Sequence, residues 1–231
     1  MLPQPPLGCQ GLHQADNIDG AAQQANVKAL RAALSGPLPG VSAQQHMAVS
    51  PRSTLAPGAA RASLTPSAVL ALLYPHKGNL WLPLIERSRG VATHPGEMGL
   101  PGGHCEQGDA SLWDTALRET QEEIGVDILG IERLGALTEL VIPVSRHVVQ
   151  PFVGWFARRP EFVLEPGEVD ALIEFPVRTL LDPDARRVEE WQLPGRHALV
   201  PCFRIDGRVV WGATAMILGE LAVVLRRAGI S

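Results

Sequence analysis

Residues 118–125 read Arg-Glu-Thr-Gln-Glu-Glu-Ile-Gly and carry the strongest chemical signal of the chain. On a helix of 3.6 residues per turn, Glu119 and Glu123 lie one turn apart and Glu122 lies beside them. Like charges placed in this way repel each other by about 0.2–0.5 kcal/mol per pair in an isolated helix. A hard divalent cation such as Mg²⁺ reverses that effect, because it prefers carboxylate oxygens. The acidic patch therefore indicates a metal site.

Glycine residues flank this helix on both sides. Gly102 and Gly103 predict a tight loop before it, because glycine has no Cβ and allows sharp turns and close backbone approach. Ser111 is expected to cap the start of the helix and Gly125 to end it. One helical face carries mainly apolar side chains, namely Trp113, Ala116, Leu117, Thr120 and Ile124. We expect the helix to pack by this face and to present its acids on another.

The run from Gly102 to Gly125 resembles the Nudix box, G-x5-E-x7-R-E-U-x-E-E-x-G-U, in which U is apolar. The spacing from Gly103 to Arg118 is one residue longer than in that formula, and Asp109 stands where Glu is usual. This variant resembles the coenzyme A pyrophosphatase branch of the family. Whether Asp109 adds to the metal site or caps the helix stays open at this point.

A second segment is similar to the signature of the same branch, L-L-T-x-R-S-x3-R-x3-G-x3-F-P-G-G. The matching residues are 83–88 and 94–103, and the resemblance as a whole covers residues 66–228. The chain departs from the signature at four positions, which are Pro83, Ile85, Ala92 and Leu100. Ala92 stands where the signature has an arginine, and this difference affects the expected substrate more than the expected reaction.

The resemblance implies a Mg²⁺- or Mn²⁺-dependent hydrolase that cuts the pyrophosphate of a nucleoside diphosphate linked to another moiety. Glu119 and Glu123 would then be metal ligands, and Glu122 would be a third ligand or act through water. Arg118 lies one turn from Glu122 and can orient a carboxylate with its forked guanidinium, so Arg118, Glu119 and Glu122 form the candidate catalytic set. Which glutamate acts as the base stays open. The alternative for the acids is a solvated helix face.

Four residues are candidates for substrate binding: Arg87, His94, Gly102 and Gly103. Arg87 and His94 flank the loop and are placed to meet phosphates, although an ordinary surface role is an equal alternative. The resemblance favours coenzyme A or its thioesters as substrate, with 3′,5′-ADP and 4′-phosphopantetheine as products. ADP-ribose or another dinucleotide is the second reading. A non-catalytic nucleotide-sensing module is the third, and the intact acids argue against it.

Composition narrows the choice of partners and compartment. The chain has 231 residues and a formal charge of −4, which gives no support for nucleic-acid binding. The longest apolar stretch, residues 68–74, is far shorter than a membrane span. Three scattered cysteines form no disulfide framework, and no secretory signal is visible, so we expect a cytoplasmic protein. The resemblance implies a small-molecule nucleotide as its substrate. Whether it forms a homodimer stays open.

The chain divides by composition near residue 62. Residues 1–62 are rich in Gln, Ala, Pro and Gly, and they predict a flexible N-terminal extension with one short helix over 26–34. Residues 63–231 are expected to form the hydrolase domain. Strand-like segments alternate there with two main helices, over 112–124 and 213–227, which indicates an α/β domain. The resemblance implies a Nudix-like α/β/α sandwich with a mixed β-sheet.

Overall fold

The computed structural model describes residues 12–50, 63–90, 95–193 and 195–230. Its helices are α1 (Leu12–Ser35), α2 (Gly40–Gln45), α3 (Leu112–Ile124) and α4 (Gly212–Arg227). Its strands are β1 (Thr65–His76), β2 (Asn79–Arg87), β3 (Met98–Gly99), β4 (Gly102–His104), β5 (Ile131–Ala136), β6 (Leu140–Ile142), β7 (His147–Phe156), β8 (Val169–Pro176), β9 (Arg186–Leu193), β10 (Arg196–Ile205) and β11 (Arg208–Val210).

The larger sheet is mixed. Eight strands of the described chain form it, with the order β3-β2-β1-β7-β5, while β4 also pairs with β1, β6 with β7 and β8 with β2. The long strands β1 and β7 run parallel, and the other pairs are antiparallel. The strands β9, β10 and β11 form a separate antiparallel sheet. The predicted α/β class with a mixed sheet is thus confirmed.

Strand β1 is buried on both faces because a helix covers each side of the sheet. Leu70 and Leu72 pack with Ala116 of α3 in one apolar cluster. Ala71 and Leu73, which alternate with them, belong to a second cluster that includes Leu221 of α4. This alternation produces the helix–sheet–helix layering expected for an α/β/α sandwich.

The N-terminal segment is more structured than its composition suggested. The predicted short helix lies within α1, which is much longer, and α2 was not predicted. Leu30 and Met47 are 0% and 1% exposed and join the cluster that contains α4. Within residues 20–50, Leu30, Leu34, Ala43 and Met47 are buried, while the flexible character of the extension as a whole stays a prediction. The domain boundary at residue 62 stays a prediction.

Two hairpin turns contain a glycine with positive φ. Lys77 and Gly78, both with positive φ, join β1 to β2, and Asp206 and Gly207 do the same between β10 and β11. Among the described helices, none combines the length and the apolar character needed to cross a membrane.

Candidate active site

Local hydrogen bonds fix both ends of α3. Ser111 has an extended backbone, and its side chain accepts a hydrogen bond from the Asp114 amide at 3.3 Å. Gly125 takes a left-handed conformation with φ of 67° and donates its amide to the Gln121 carbonyl at 2.9 Å. Both ends agree with the sequence prediction, since caps depend only on neighbouring residues.

Strand β4 has no side chain where it passes the acidic helix. A Cβ on Gly102 would lie 2.6 Å from the Val69 Cα, and the φ of Gly102 is 152°, which residues other than glycine rarely adopt. A Cβ on Gly103 would overlap the carboxylate of Glu119. The two glycines therefore let the carboxylates of α3 come directly against the backbone of β4.

Two of the three predicted acids are buried. The Glu123 side chain is 2% exposed, accepts a hydrogen bond from the Gly102 amide at 2.9 Å and lies 3.5 Å from Nη1 of Arg87. Burial raises the pKa of Glu123 to about 8, against the opposing effects of the Gly102 amide and Arg87. The nearby charges of Glu119 and Glu168 raise it further. A carboxyl group in this environment is one that a bound cation would stabilise in its charged form.

Glu119 is also buried, and Glu122 is not. Burial raises the pKa of Glu119, while the Arg118 guanidinium opposes the rise. The Glu122 side chain is 53% exposed. The acids thus do not form one solvated face, because the turn of α3 that carries Glu119 and Glu123 lies under β4.

Arg118 links three acidic side chains. Its Nη1 lies 3.1 Å from Oε1 of Glu119 and donates to Oε2 of Glu122 at 2.8 Å. Its Nε donates to Oδ1 of Asp109 at 3.0 Å, and its Nη2 donates to the His104 carbonyl at 3.0 Å. The guanidinium therefore sets the positions of two candidate ligands and of the loop before the helix, as expected for a rigid fork.

Asp109 shapes the loop. It accepts hydrogen bonds from the Glu106 amide at 2.9 Å and from the Thr115 hydroxyl at 2.8 Å. The hydrogen bond from Arg118, together with that amide, holds the pKa of Asp109 well below its usual range. Since Ser111 is the helix cap, Asp109 closes the loop onto α3 and does not cap the helix.

The carboxylate oxygens of Glu119, Glu122 and Glu123 are the type of ligand that a hard divalent cation prefers. Three carboxylates lie on adjacent turns, and two of them are buried against a strand without side chains. In the described residues no three acidic, imidazole or thiol groups converge within reach of one metal ion. The arginines hold the carboxylates instead, so metal binding would require the side chains of Glu119, Glu122 and Glu123 to turn from Arg118 and Arg87.

A cleft of about 670 Å³ opens beside these residues. Arg87, Gly102 and Gly103, which were predicted to bind substrate, line it, whereas His94 lies outside the described residues. Nε of Arg87 is buried and has no hydrogen-bond partner. The guanidinium also lies 3.5 Å from Glu123, so it places a positive charge between this acid and the cleft.

Sequence reasoning missed two polar residues of the cleft. Ser67 and His147 line it and share a hydrogen bond of 2.7 Å between Oγ and Nδ1. Trp211 lines it as well, and its ring packs edge-on against Trp191 with centroids 5.1 Å apart. Ser67 and His147 are 80 positions apart in the chain. Only the parallel pairing of β1 with β7 brings them together, and no local pattern reveals that pairing.

Known proteins match this chain over the region that contains the site. Residues 64–194 match the family model described as NUDIX domain. "Nudix hydrolase 15, mitochondrial" from Arabidopsis thaliana is 35% identical over 167 residues, which are 68% of this chain and 58% of the plant protein. "Uncharacterized Nudix hydrolase NudL" from Pectobacterium atrosepticum is 34% identical over 148 residues, 62% of this chain and 73% of the bacterial protein.

The chain thus spans a little over half the length of the plant relative. Among solved structures, the Nudix hydrolase RenU from M. smegmatis aligns with a TM-score of 0.47 and 15% identity. That alignment covers 72% of this chain and 89% of RenU, and it is too loose to bear on activity.

Proposed function

We propose, since the chain belongs to the NUDIX domain family, that it is a divalent-metal-dependent pyrophosphohydrolase acting on a nucleoside diphosphate linked to another moiety. One observation carries the proposal. Glu119 and Glu123 are buried behind the side-chain-free strand Gly102–Gly103, at the edge of a cleft large enough for a nucleotide conjugate.

The negative charge of a pyrophosphate is the chemical obstacle to its hydrolysis. Nudix hydrolases generally use divalent metal ions, and Glu119, Glu122 and Glu123 are the residues that would hold one here, Mg²⁺ or Mn²⁺. Such an ion supplies positive charge to phosphate oxygens and makes a coordinated water more acidic. Arg87 would add a second positive charge, because this residue lines the same cleft.

The remaining residues of the site position these groups. Arg118 holds Glu119 and Glu122 by one guanidinium nitrogen, and its bonds to Asp109 fix that guanidinium in place. Gly103 leaves room for Glu119. A site in which the charged groups are held before substrate arrives loses less free energy to reorganisation during the reaction.

For the substrate we favour coenzyme A or its thioesters, cut to 3′,5′-ADP and 4′-phosphopantetheine. The support is the similarity of residues 83–103 to the coenzyme A branch signature, together with the longer loop before Arg118. Ile85 and Ala92 depart from that signature, and they keep ADP-ribose or another dinucleotide as the second candidate.

One substrate panel tests the proposal. Coenzyme A, ADP-ribose, NADH and diadenosine tetraphosphate are incubated with the full chain in Mg²⁺, in Mn²⁺ and in excess EDTA, and the products are separated by chromatography. We expect 3′,5′-ADP from coenzyme A in either metal and none in EDTA. Full turnover in EDTA would contradict the metal dependence. Tight binding of a nucleotide without any product would instead support a sensing module.

A further inference from the structure

Strand β9 is an edge strand of the small sheet. It pairs with β10 along its whole length, Arg186–Leu193, and in the described part of the chain no strand pairs with its other side. A free edge carries backbone N–H and C=O groups that a further strand can bind, and folded proteins either protect such an edge or use it for binding. Val188 on this edge is 61% exposed. The edge is therefore open to a further strand.

The pairing on the opposite side of β10 shows which residues of β9 carry the outward backbone groups. Leu199 of β10 accepts a hydrogen bond from the Ser50 amide at 2.9 Å and donates one to the Ser50 carbonyl at 3.1 Å, so its backbone groups point away from β9. Glu190 lies opposite Leu199. In an antiparallel pair two opposite residues exchange both bonds or neither, so the N–H and C=O of Glu190 point out of the edge. Those of Val188, two residues earlier, do the same.

The charges along this edge are complementary to themselves in the antiparallel direction. Residues 186–190 read Arg-Arg-Val-Glu-Glu. When a second copy pairs antiparallel with Val188 opposite Val188, each arginine lies opposite a glutamate of the other copy, and the two exposed valines cover each other. The pairs are Arg186 with Glu190 and Arg187 with Glu189, and the two-fold axis forms each of them twice.

The same charges select one register. A shift of two residues is the smallest that keeps the side-chain faces and the outward backbone groups matched. A shift in one direction places Arg187 opposite Arg187, and a shift in the other direction places Glu189 opposite Glu189. Like charges directly opposite each other destabilise a strand pair. Pairing about Val188 is therefore the favoured register.

The side chains of the two outer positions are available for this contact. Arg186 donates from Nη2 to the His46 carbonyl at 2.8 Å, and a guanidinium has further N–H donors. Glu190 is exposed. Glu189 already binds Arg204 of β10 at 2.6 Å. The pair of Arg186 with Glu190 is therefore the better one to test.

The edge is held in one orientation by the N-terminal segment. His46, which Arg186 binds, ends α2. A buried carboxylate anchors α2 in turn. Glu220 of α4 is 0% exposed and accepts hydrogen bonds from the Gly40 amide at 3.0 Å and the Gln44 side chain at 2.9 Å. A binding edge that is fixed in advance loses less conformational entropy on association.

We propose that β9 is the interface of a homodimer, in which the β9 strands of two copies pair antiparallel about Val188. The two small sheets then form one continuous sheet across the two-fold axis. The paired segment, residues 186–190, is short, so the dimer is a reversible one whose population depends on protein concentration. The inference stands apart from the proposed function, because none of the paired residues lines the cleft.

Sedimentation velocity of the full chain over a series of protein concentrations tests the interface. We expect wild type to pass from one chain to two as the concentration rises. The dimer should weaken in high salt, because the ion pairs lie at an exposed edge and are screened. A wild type that remains a single chain at every concentration would overturn the proposal.

Two charge reversals test the ion pairs and the register. Glu190→Arg and Arg186→Glu each place like charges opposite each other, so each variant alone should raise the dimer Kd by about tenfold. Their equimolar mixture brings opposite charges together again at both pairs, and it should form a heterodimer with a Kd close to that of wild type. Glu161→Arg is the matched control, because Glu161 is exposed and lies outside β9, and it should dimerise as wild type does. Variants that dimerise normally by themselves, or a mixture that stays as weak as its components, would refute the interface.

Val188→Pro tests the backbone bonds and serves if a charge reversal lowers the melting temperature. Proline removes the amide at the two-fold axis, and it leaves the bonds of β9 to β10 in place because that amide points away from β10. We expect a folded chain that does not dimerise. Gln192→Pro is the control, since its amide also points outward but lies beyond the paired segment. A normal dimer in Val188→Pro would show that the copies meet by another surface, and the proposal would fail.

Discussion

The carboxylate of Glu119 lies in the space that a side chain on Gly103 would occupy. Glycine at this position therefore lets the side chain of Glu119 lie against the backbone of β4. The buried acid lies directly behind Gly103, and Gly103 lines the cleft.

Gly103→Ala should impair the reaction far more than the fold. The new methyl group must displace the Glu119 carboxylate, which is the flexible end of a side chain, so we expect a loss of stability of about 1 kcal/mol. A misplacement of the order of 1 Å at a reacting centre can cost about 100-fold in rate. Turnover of coenzyme A and the melting temperature measure the two effects. Gly108→Ala is the control, because its Cβ would meet open space, and equal rates in both variants would refute the steric argument.

Glu119→Gln and Glu123→Gln should each lower kcat by about 10²–10³-fold, because an amide retains the size of the side chain but removes an anionic ligand. The metal-free protein should change little in stability, since the amide retains the size of the side chain and burial already raises the pKa of both acids towards the neutral form. Steady-state kinetics in saturating Mn²⁺ and thermal melting in EDTA check both statements. The exposed Glu161, changed to Gln, should behave as wild type. Normal rates in both motif variants would remove the metal-site assignment.

Leu30→Ala should reduce the free energy of unfolding by about 2–5 kcal/mol, because it leaves a cavity in the core. Leu30 is 0% exposed and shares its cluster with α4. Leu129→Ala is matched to it in chemistry, and Leu129 is 94% exposed, so that variant should lose little. Urea unfolding of the two variants gives the comparison. Similar midpoints would show that the N-terminal helix adds nothing to the stability of the domain.

The ionised side chain of Glu174 should stabilise the folded protein at neutral pH, and this contribution should be lost in acid. Its carboxylate accepts a hydrogen bond of 2.7 Å from the Tyr74 hydroxyl and one of 2.8 Å from Nε of Arg159. Burial alone would raise the pKa of Glu174, but these bonds outweigh it and hold the pKa below its ordinary value. As the pH falls below about 5, the unfolded chain therefore takes up a proton before the folded protein does, and stability falls.

Glu174→Gln should flatten that dependence. Urea unfolding at pH 7 and pH 4 measures the loss of stability on acidification, which should be smaller in Glu174→Gln than in wild type. Glu161→Gln, an exposed acid changed in the same way, should retain the wild-type loss. An unchanged pH dependence in Glu174→Gln would mean that the pair with Arg159 is too well hydrated to matter.

The features that could be predicted from the sequence are those set by near neighbours. Ser111 and Gly125 end α3 through contacts within four residues, and the turns at Gly78 and Gly207 depend on their own backbone angles. The long strands along the chain followed from hydrophobic periodicity, which each segment carries by itself, and so did the last helix, predicted over 213–227 and found over 212–227.

The cleft could not be predicted in this way, because its floor depends on long-range pairing. Ser67 meets His147 only through the parallel alignment of β1 and β7. The buried part of the N-terminal segment was hidden for another reason. Residues 1–62 are rich in Gln, Ala, Pro and Gly, and the few large apolar residues among them, such as Leu30 and Met47, show no core until α4 is placed against them.

The anchor at Glu220 has a consequence for the order in which the chain acquires its structure during synthesis. Glu220 binds Gly40 and Gln44, which precede it by 180 and 176 residues. A ribosome adding about 5–20 residues per second needs roughly 10–40 s to make the intervening chain. Throughout that interval Leu30 and Met47 lack the helix that covers them, so the nascent protein exposes its first-made apolar residues until its last helix emerges. Chaperones that recognise exposed apolar segments would have their longest access to this chain at its N-terminal end.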